Sequence, residues 1–243
     1  MAASTTATLD DLFANIIQEA IFTAQQRSLV RNFVSIYDIS SQSGKTVQVP
    51  IYPEVAAAAL TEGTDLSSTA VSTSSVTITV AEVGVQAVLT DLAAQAAAGD
   101  VAGDLGRVLG EAVAKKMDKD LIGLFTGFSQ GFGAAGAELT VADFFKAAAT
   151  LSTNGASGVI SAVIHPHQAY ALKANMTNTF VNPNGGDLQN EAMRSGYVGQ
   201  LAGINVYESS NIAVDGSDDA IGAVFVPSAL GLAVCWDVKI EPQ

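Results

Sequence analysis

Few residues in this chain have the types needed for chemistry, and their spacing argues against most of the chemistry they could do. Gly131-Phe-Gly133-Ala-Ala-Gly136 reproduces the G-x-G-x-x-G spacing of a dinucleotide loop. Such a loop works only after a strand and at the start of a helix, where free amides meet a pyrophosphate. Here a long helical pattern precedes it, and the next helix signal comes only after Glu138-Leu139. No acidic residue closes a strand about 20 residues on to take a ribose. His165 and His167 are the only histidines, spaced around Pro166. A zinc site needs three or four ligands with supporting partners, and the single cysteine cannot supply the rest. The histidines are therefore expected to shape a strand-to-helix turn and to bond locally. Cys235 lies in the apolar run Leu232-Ala-Val-Cys-Trp236 and reads as a small core hydrophobe. No serine sits in a G-x-S-x-G elbow. The pairs Asp10/Asp11 and Asp218/Asp219 fall in polar stretches, where a solvated surface is the default. Glu62-Gly63-Thr64-Asp65 places two acids on a glycine turn, and no lysine occurs between Lys45 and Lys115 to pair with them. Those acids either meet basic residues of a neighbouring subunit or simply solvate the tip. We expect no catalytic residue, no cofactor and no metal.

The elements that would position these groups are more informative. Thr8-Leu-Asp-Asp11 is a helix start, followed by Leu12, Phe13, Ile16, Ile17, Ala20 and Ala24 at helical spacing. This helix docks either on another subunit or on its own domain. Val47, Val49 and Ile51 alternate with Thr46, Gln48 and Pro50, and Val76-Thr-Ile-Thr-Val80 repeats the same period of two. Roughly 24 residues rich in Ala, Ser and Thr lie between them, longer than a structureless loop in a compact domain should be. The pattern predicts a long hairpin whose tip leaves the body. From Asp100 to Phe125, Leu105, Val108, Leu109, Ala112, Val113, Met117 and Leu121 share one face, and Asp104, Arg107, Glu111 and Asp118 take the other. The apolar face should pack on a sheet formed partly by Leu232 to Ile240. Thr140-Val-Ala-Asp143 opens another helix, with Phe144, Phe145, Ala148 and Leu151 expected inside. Short strands follow at Val159–Ile164, Ile204–Tyr207, Ala223–Val226 and Leu232–Ile240, with a helix from Gln168 to Ala174.

Composition narrows the class. The chain has 243 residues, 49% hydrophobic and 14% charged, with a net charge of −13. Mean hydropathy is +0.33 and the pI is about 4.3. So acidic a chain repels phosphate backbones, which excludes sequence-specific nucleic-acid binding as its task. One cysteine excludes an internal disulfide framework. The N-terminus lacks the basic and apolar regions of a secretory signal, and no apolar run approaches a membrane span. A soluble cytoplasmic product is expected.

The order of these elements resembles the major capsid proteins of tailed bacteriophages, with their Hong Kong 97-like α+β fold. The residues that carry the resemblance are Lys45-Thr-Val-Gln-Val-Pro50, Leu60-Thr-Glu-Gly-Thr-Asp65, Ser75-Val-Thr-Ile-Thr-Val80, and Leu89-Thr-Asp-Leu92 leading into Asp100 to Phe125. Val163-Ile-His-Pro166 and Gly199-Gln-Leu-Ala-Gly-Ile-Asn-Val206 before Glu208-Ser-Ser210 agree. The resemblance implies an N-terminal arm (1–44), an extended hairpin loop (45–90), a peripheral domain built on a spine helix (91–157 with 232–243) and an axial domain (158–231). Inter-subunit contacts are then expected at Leu60, Glu62, Gly63, Thr64 and Asp65 in the loop and at Leu12, Phe13, Ile16 and Ile17 in the arm. The lysine needed for the covalent cross-link of some relatives is missing from Thr46 to Leu89, so assembly should be non-covalent. No scaffolding segment precedes the arm, so scaffolding would be a separate protein. The chain stops at Gln243, where such proteins usually continue a last peripheral strand; either this relative is short or the chain is incomplete.

The function implied is structural rather than enzymatic. Copies would form hexamers and pentamers of an icosahedral head in the host cytoplasm. That head would enclose double-stranded DNA without sequence-specific binding, with a portal and separate scaffolding or decoration proteins as partners and no membrane. Two rivals remain, an encapsulin-type nanocompartment shell and an acidic surface or adhesin-like structural protein.

Overall fold

The computed structural model describes residues 20–21, 28–40, 44–57, 59, 62–63, 70–87, 101–179 and 199–236. The described residues hold eight strands: β1 (Ser35–Asp38), β2 (Thr46–Ile51), β3 (Ser74–Thr79), β4 (Ser161–Ile164), β5 (Gln200–Leu201), β6 (Ile204–Glu208), β7 (Ala223–Phe225) and β8 (Gly231–Val234). The longer helices are α1 (Val101–Gly123), α2 (Val141–Thr153) and α3 (Pro166–Thr179).

A four-stranded sheet in the order β5-β6-β4-β7 forms the centre. β4 is buried on both faces, as its unbroken Ala162-Val-Ile164 run requires. Ala162 and Ile164 join Ile204, Val206, Phe144, Ala169 and Leu172 in one core, which α2 and α3 cover. Val163, Ala223 and Phe225 point the other way, into a second core with Val30, Val34, Leu121, Ile122, Phe125, Ile212 and Leu230. Phe125, Phe128 and Phe225 interlock there, with ring centroids 5.6 to 6.3 Å apart. Gly222 lets the chain pass beside β4, since a Cβ there would stand 2.9 Å from the Val163 carbonyl oxygen.

α2 starts where its capping signal lies. The Asp143 carboxylate accepts the Thr140 hydroxyl (2.7 Å) and the Thr140 N–H (3.2 Å). The Thr140 hydroxyl, more than any other neighbour, holds the Asp143 carboxyl below the usual carboxylate range. Phe144 is buried as expected, and Ala147 is buried with it. Phe145, expected inside, is exposed instead. The inward stripe of the helix runs through Phe144, Ala147, Ala148 and Leu151, and Phe145 stands one step off it.

α1 is the long helix expected, but rotated from its expected orientation. Gly106, Gly110, Ala114, Asp118, Leu121 and Ile122 are buried. Leu105, Leu109, Val113 and Met117 are only half-buried, and Val108 is 62% exposed. Asp118, assigned to the solvent face by its charge, is 1% exposed. Its Oδ1 accepts the Ser28 hydroxyl (3.0 Å) and the Val30 N–H (3.2 Å). Its Oδ2 accepts the Leu29 N–H (3.0 Å) and, more weakly, the Asn211 amide at 3.5 Å. The carboxylate thus caps the 3-10 turn Val30–Phe33 and replaces the water that a buried charge would otherwise need. Small residues N-terminal to it make the inward side of the helix narrow. The expected packing of this helix on Leu232–Ile240 also changes. β8 ends at Val234 and pairs in parallel with β1, in register Ser35↔Gly231. Of that late run only Leu232, partly buried, packs against the core containing Leu121 and Phe125; residues 237–240 lie outside the described residues.

Asp118→Asn keeps the shape but replaces one carboxylate oxygen by an NH2 group, which turns its hydrogens toward the two donors that oxygen accepted. Urea unfolding of the unassembled subunit should show a loss of about 2–3 kcal/mol. The exposed Asp120→Asn should stay within about 0.5 kcal/mol. Equal losses would remove the carboxylate clasp from the account.

Candidate inter-subunit surface

β2 and β3 pair antiparallel with Val47 opposite Ile78 and Val49 opposite Val76. Alternation therefore puts Val47, Val49, Ile51, Val76 and Ile78 on one face and Thr46, Gln48, Ser75, Thr77 and Thr79 on the other. This ribbon is a separate two-stranded sheet. Among the described residues its apolar face is only partly covered: Val47, Val49 and Ile78 are half-buried, while Val76 and Ile51 are about half exposed (51% and 49%). Beyond it Tyr52, Val55 and Val71 are also exposed. An isolated two-stranded hairpin is marginal in water, so this one needs cover from elsewhere.

Its base alone is anchored. The Val80 N–H donates to the Lys45 carbonyl at 2.8 Å and closes the ladder. Ile78 lies against Gly231 of β8, where a Cβ would stand 2.9 Å from Ile78 Cδ1 and 3.1 Å from the Tyr37 ring. Glycine at 231 is thus what lets the hairpin root against the β1–β8 pair.

Among the residues expected to make contacts, Glu62 and Gly63 lie in an exposed turn on the loop, with Gly63 at φ +85°. Leu60, Thr64 and Asp65, and the arm residues Leu12, Phe13, Ile16 and Ile17, lie outside the described residues. The Asp118 clasp was missed because a lone aspartate on a helix reads as solvated. The steps of four through Gly106, Gly110 and Ala114 to Asp118 were the signal available.

The residues weighed for chemistry have local partners in the structure. The Gly136 N–H donates to the Asp219 carboxylate (2.9 and 3.0 Å), so an acid occupies the place a phosphate would take. The His167 N–H donates to His165 Nδ1 at 3.2 Å and the His165 N–H to Gln168 Oε1 at 3.0 Å. Gln168 in turn donates to the Ala220 carbonyl at 2.6 Å. Burial first, then the neighbouring His167, lowers the His165 pKa. Cys235 is half-buried rather than in the core, beside an exposed Trp236. A cleft of about 310 Å³ lies where Ser28, Asn32 and Asp118 meet Glu208 to Asn211. Both Asp118 oxygens are already engaged there, and Glu208 pairs with Lys173 at 2.7 Å. No group of three or more metal-ligating side chains occurs among the described residues, and none of their helices is long and apolar enough to cross a membrane.

Residues 12–226 match the model of the phage capsid family. The chain belongs to that family. It is a family of structural, non-enzymatic proteins, and the α+β architecture of this capsid protein recurs in solved phage structures. The capsid of cyanophage P-SCSP1u superposes with a TM-score of 0.66 at 20% identity, covering 85% of this chain and 74% of that one. Mycobacterium phage Che8 gives 0.66 at 21% identity, covering 87% and 78%. The mature capsid of bacteriophage PhiM1 gives 0.58 at 17%, covering 83% and 72%. Comparison with curated proteins finds no match.

Gly231→Val should push the hairpin root of this capsid protein off β8. Amides of Ile78 to Val80 should then exchange faster in the unassembled subunit while those of β4 keep their protection. Unchanged exchange at Ile78–Val80 would show that the close approach at Gly231 does not hold the hairpin.

Proposed function

We propose that this capsid protein is the shell subunit of a tailed-phage head, tiling an icosahedral shell as hexamers and pentamers around double-stranded DNA. The observation that carries the reading is the hairpin. A ribbon with uncovered apolar residues on one face, rooted only at its base, is a surface awaiting a second copy. Each subunit that both lends and receives such a ribbon joins several neighbours, so modest contacts add up by multivalency. The arm residues Leu12, Phe13, Ile16 and Ile17 and the tip from Leu60 to Asp65 would supply further contacts of this kind. A net charge of −13 suits a wall that holds condensed DNA without gripping it. A portal and separate scaffolding or decoration proteins would complete the head, which would assemble in the host cytoplasm.

Deleting Ala57 to Ser68 should leave a subunit with native circular dichroism and an unchanged cooperative melt that forms no shells by negative-stain microscopy. The intact chain should form them under the same conditions. Shells from the shortened chain would contradict the proposed role of the hairpin.

A further inference from the structure

The start of α3 is made by a residue that seldom begins a helix. His165 is the last residue before it, and Pro166 is the first within it, where proline's missing N–H costs nothing. The His165 carbonyl accepts the Ala169 N–H at 3.0 Å, the first bond of the helix. The His165 ring does what a serine or aspartate does at most helix starts, its Nδ1 accepting the His167 N–H at 3.2 Å. Gln168 answers from the third helical position, its Oε1 accepting the His165 N–H at 3.0 Å. The two residues form a reciprocal cap with an imidazole in the hydroxyl's place. The cap also reaches beyond its own helix. Gln168 Nε2 donates to the Ala220 carbonyl at 2.6 Å, and a Cβ on Gly222 would stand 3.0 Å from Gln168 Oε1. It therefore ties α3 to the chain entering β7.

An imidazole nitrogen accepts a hydrogen bond only while it carries no proton. We propose that His165 makes the start of α3 a proton-sensitive catch, in which protonation at Nδ1 breaks the cap and loosens the Gln168 link to the segment before β7. A protonated Nδ1 would point its hydrogen at the His167 N–H, at a helix end that already carries partial positive charge. Burial acts in the same direction, and so does His167, whose ring meets that of His165 edge-on at 4.8 Å; both lower the His165 pKa. The other charged groups on the elements around this turn have partners of their own. Glu208 of β6 pairs with Lys173 of α3, and Asp143 of α2 with Lys146. Before β7, Asp215 and Asp219 accept backbone N–H groups. Asp218 and Tyr170 are exposed, and Tyr207 of β6 stacks on Phe33. Among the described residues, His167 is the only charge that acts on the His165 ring. Folding thus favours the neutral ring. The contribution of the cap is complete above the ordinary histidine value of 6.5, and it is lost as pH falls below that through the value in the folded chain.

Nitrogen NMR of the imidazole rings in the unassembled subunit, joined to hydrogen exchange, tests the catch. At about pH 7.5, His165 should carry its proton on Nε2 and none on Nδ1. On acidification it should titrate below 6.5. Between about pH 7.5 and about pH 5.5 the His167 amide should lose about three- to tenfold of its protection, the worth of one net hydrogen bond, while the amides of β4 keep theirs. His165→Asn supplies a side-chain acceptor that does not titrate, so its His167 amide should stay protected across that range. A proton on Nδ1 at neutral pH would overturn the proposal, as would a His165 that titrates at or above 6.5. A His167 amide in the intact chain that ignores pH, or one that loses as much protection in His165→Asn, would overturn it too. If His165→Asn does not fold, the ring titration of the intact subunit still decides. None of these measurements involves shells, so their outcome is independent of the assembly proposed above.

Discussion

A buried carboxylate with nowhere to put its charge except onto three donors from another part of the chain sets the arrangement of this subunit. Removing an ionised group from water costs several kcal/mol, and only close hydrogen bonds offset that cost. Asp118 meets the condition through the Ser28 hydroxyl and the Leu29 and Val30 amides. The bonds fix the rotation of α1 and the start of the 3-10 turn at Val30, and through Val30 and Val34 they hold that segment over one face of the central sheet. Asn211 brings the loop after β6 to the same carboxylate. One side chain therefore joins the long helix, the segment that follows the N-terminal region, and the sheet.

With α1 turned this way, the molecule divides into parts that are satisfied and parts that are not. The sheet has a core on each face and its buried polar side chains are all bonded among the described residues. Among the described residues the hairpin joins neither core. It is half-buried near its root at Gly231 and open at Ile51 and Val76, and α1 shows Val108 to solvent on its outer side. In a monomer these would be defects; under the proposed assembly they are where neighbours would meet. The physics that makes the sheet rigid and the hairpin incomplete is the same accounting of apolar area.

Much of this was legible in the residues. Strict alternation at Val47–Ile51 and Val76–Val80 located both hairpin strands. Thr140 and Asp143 marked the start of α2. The order of these signals was enough for the family resemblance, which the family match over residues 12–226 bears out. What failed was the choice of face on the helices. Counting large apolar residues favoured Val108 and Phe145, both exposed, over Gly106, Gly110 and Ala147, all buried. Close approach between elements selects small residues, and a hydrophobicity count gives those little weight. Asp118 was hidden for a related reason, since its partners, two backbone amides, a serine hydroxyl and an asparagine amide, lie about 90 residues away in sequence and leave no mark on composition. The parallel pairing of β1 with β8 is likewise non-local, and neither short run announces the other.

Hydrogen exchange compared between free subunits and assembled shells tests the central claim most directly, because it reads the satisfied and unsatisfied parts in one experiment. The account predicts that the amides of Leu29 and Val30 are protected in both states. It predicts that the hairpin amides away from the anchored base, Val49 and Ile51 in β2 and Ser74 to Val76 in β3, exchange quickly in free subunits and become protected only in shells. Hairpin amides equally protected in the free subunit, or Leu29 and Val30 amides open in both states, would contradict it.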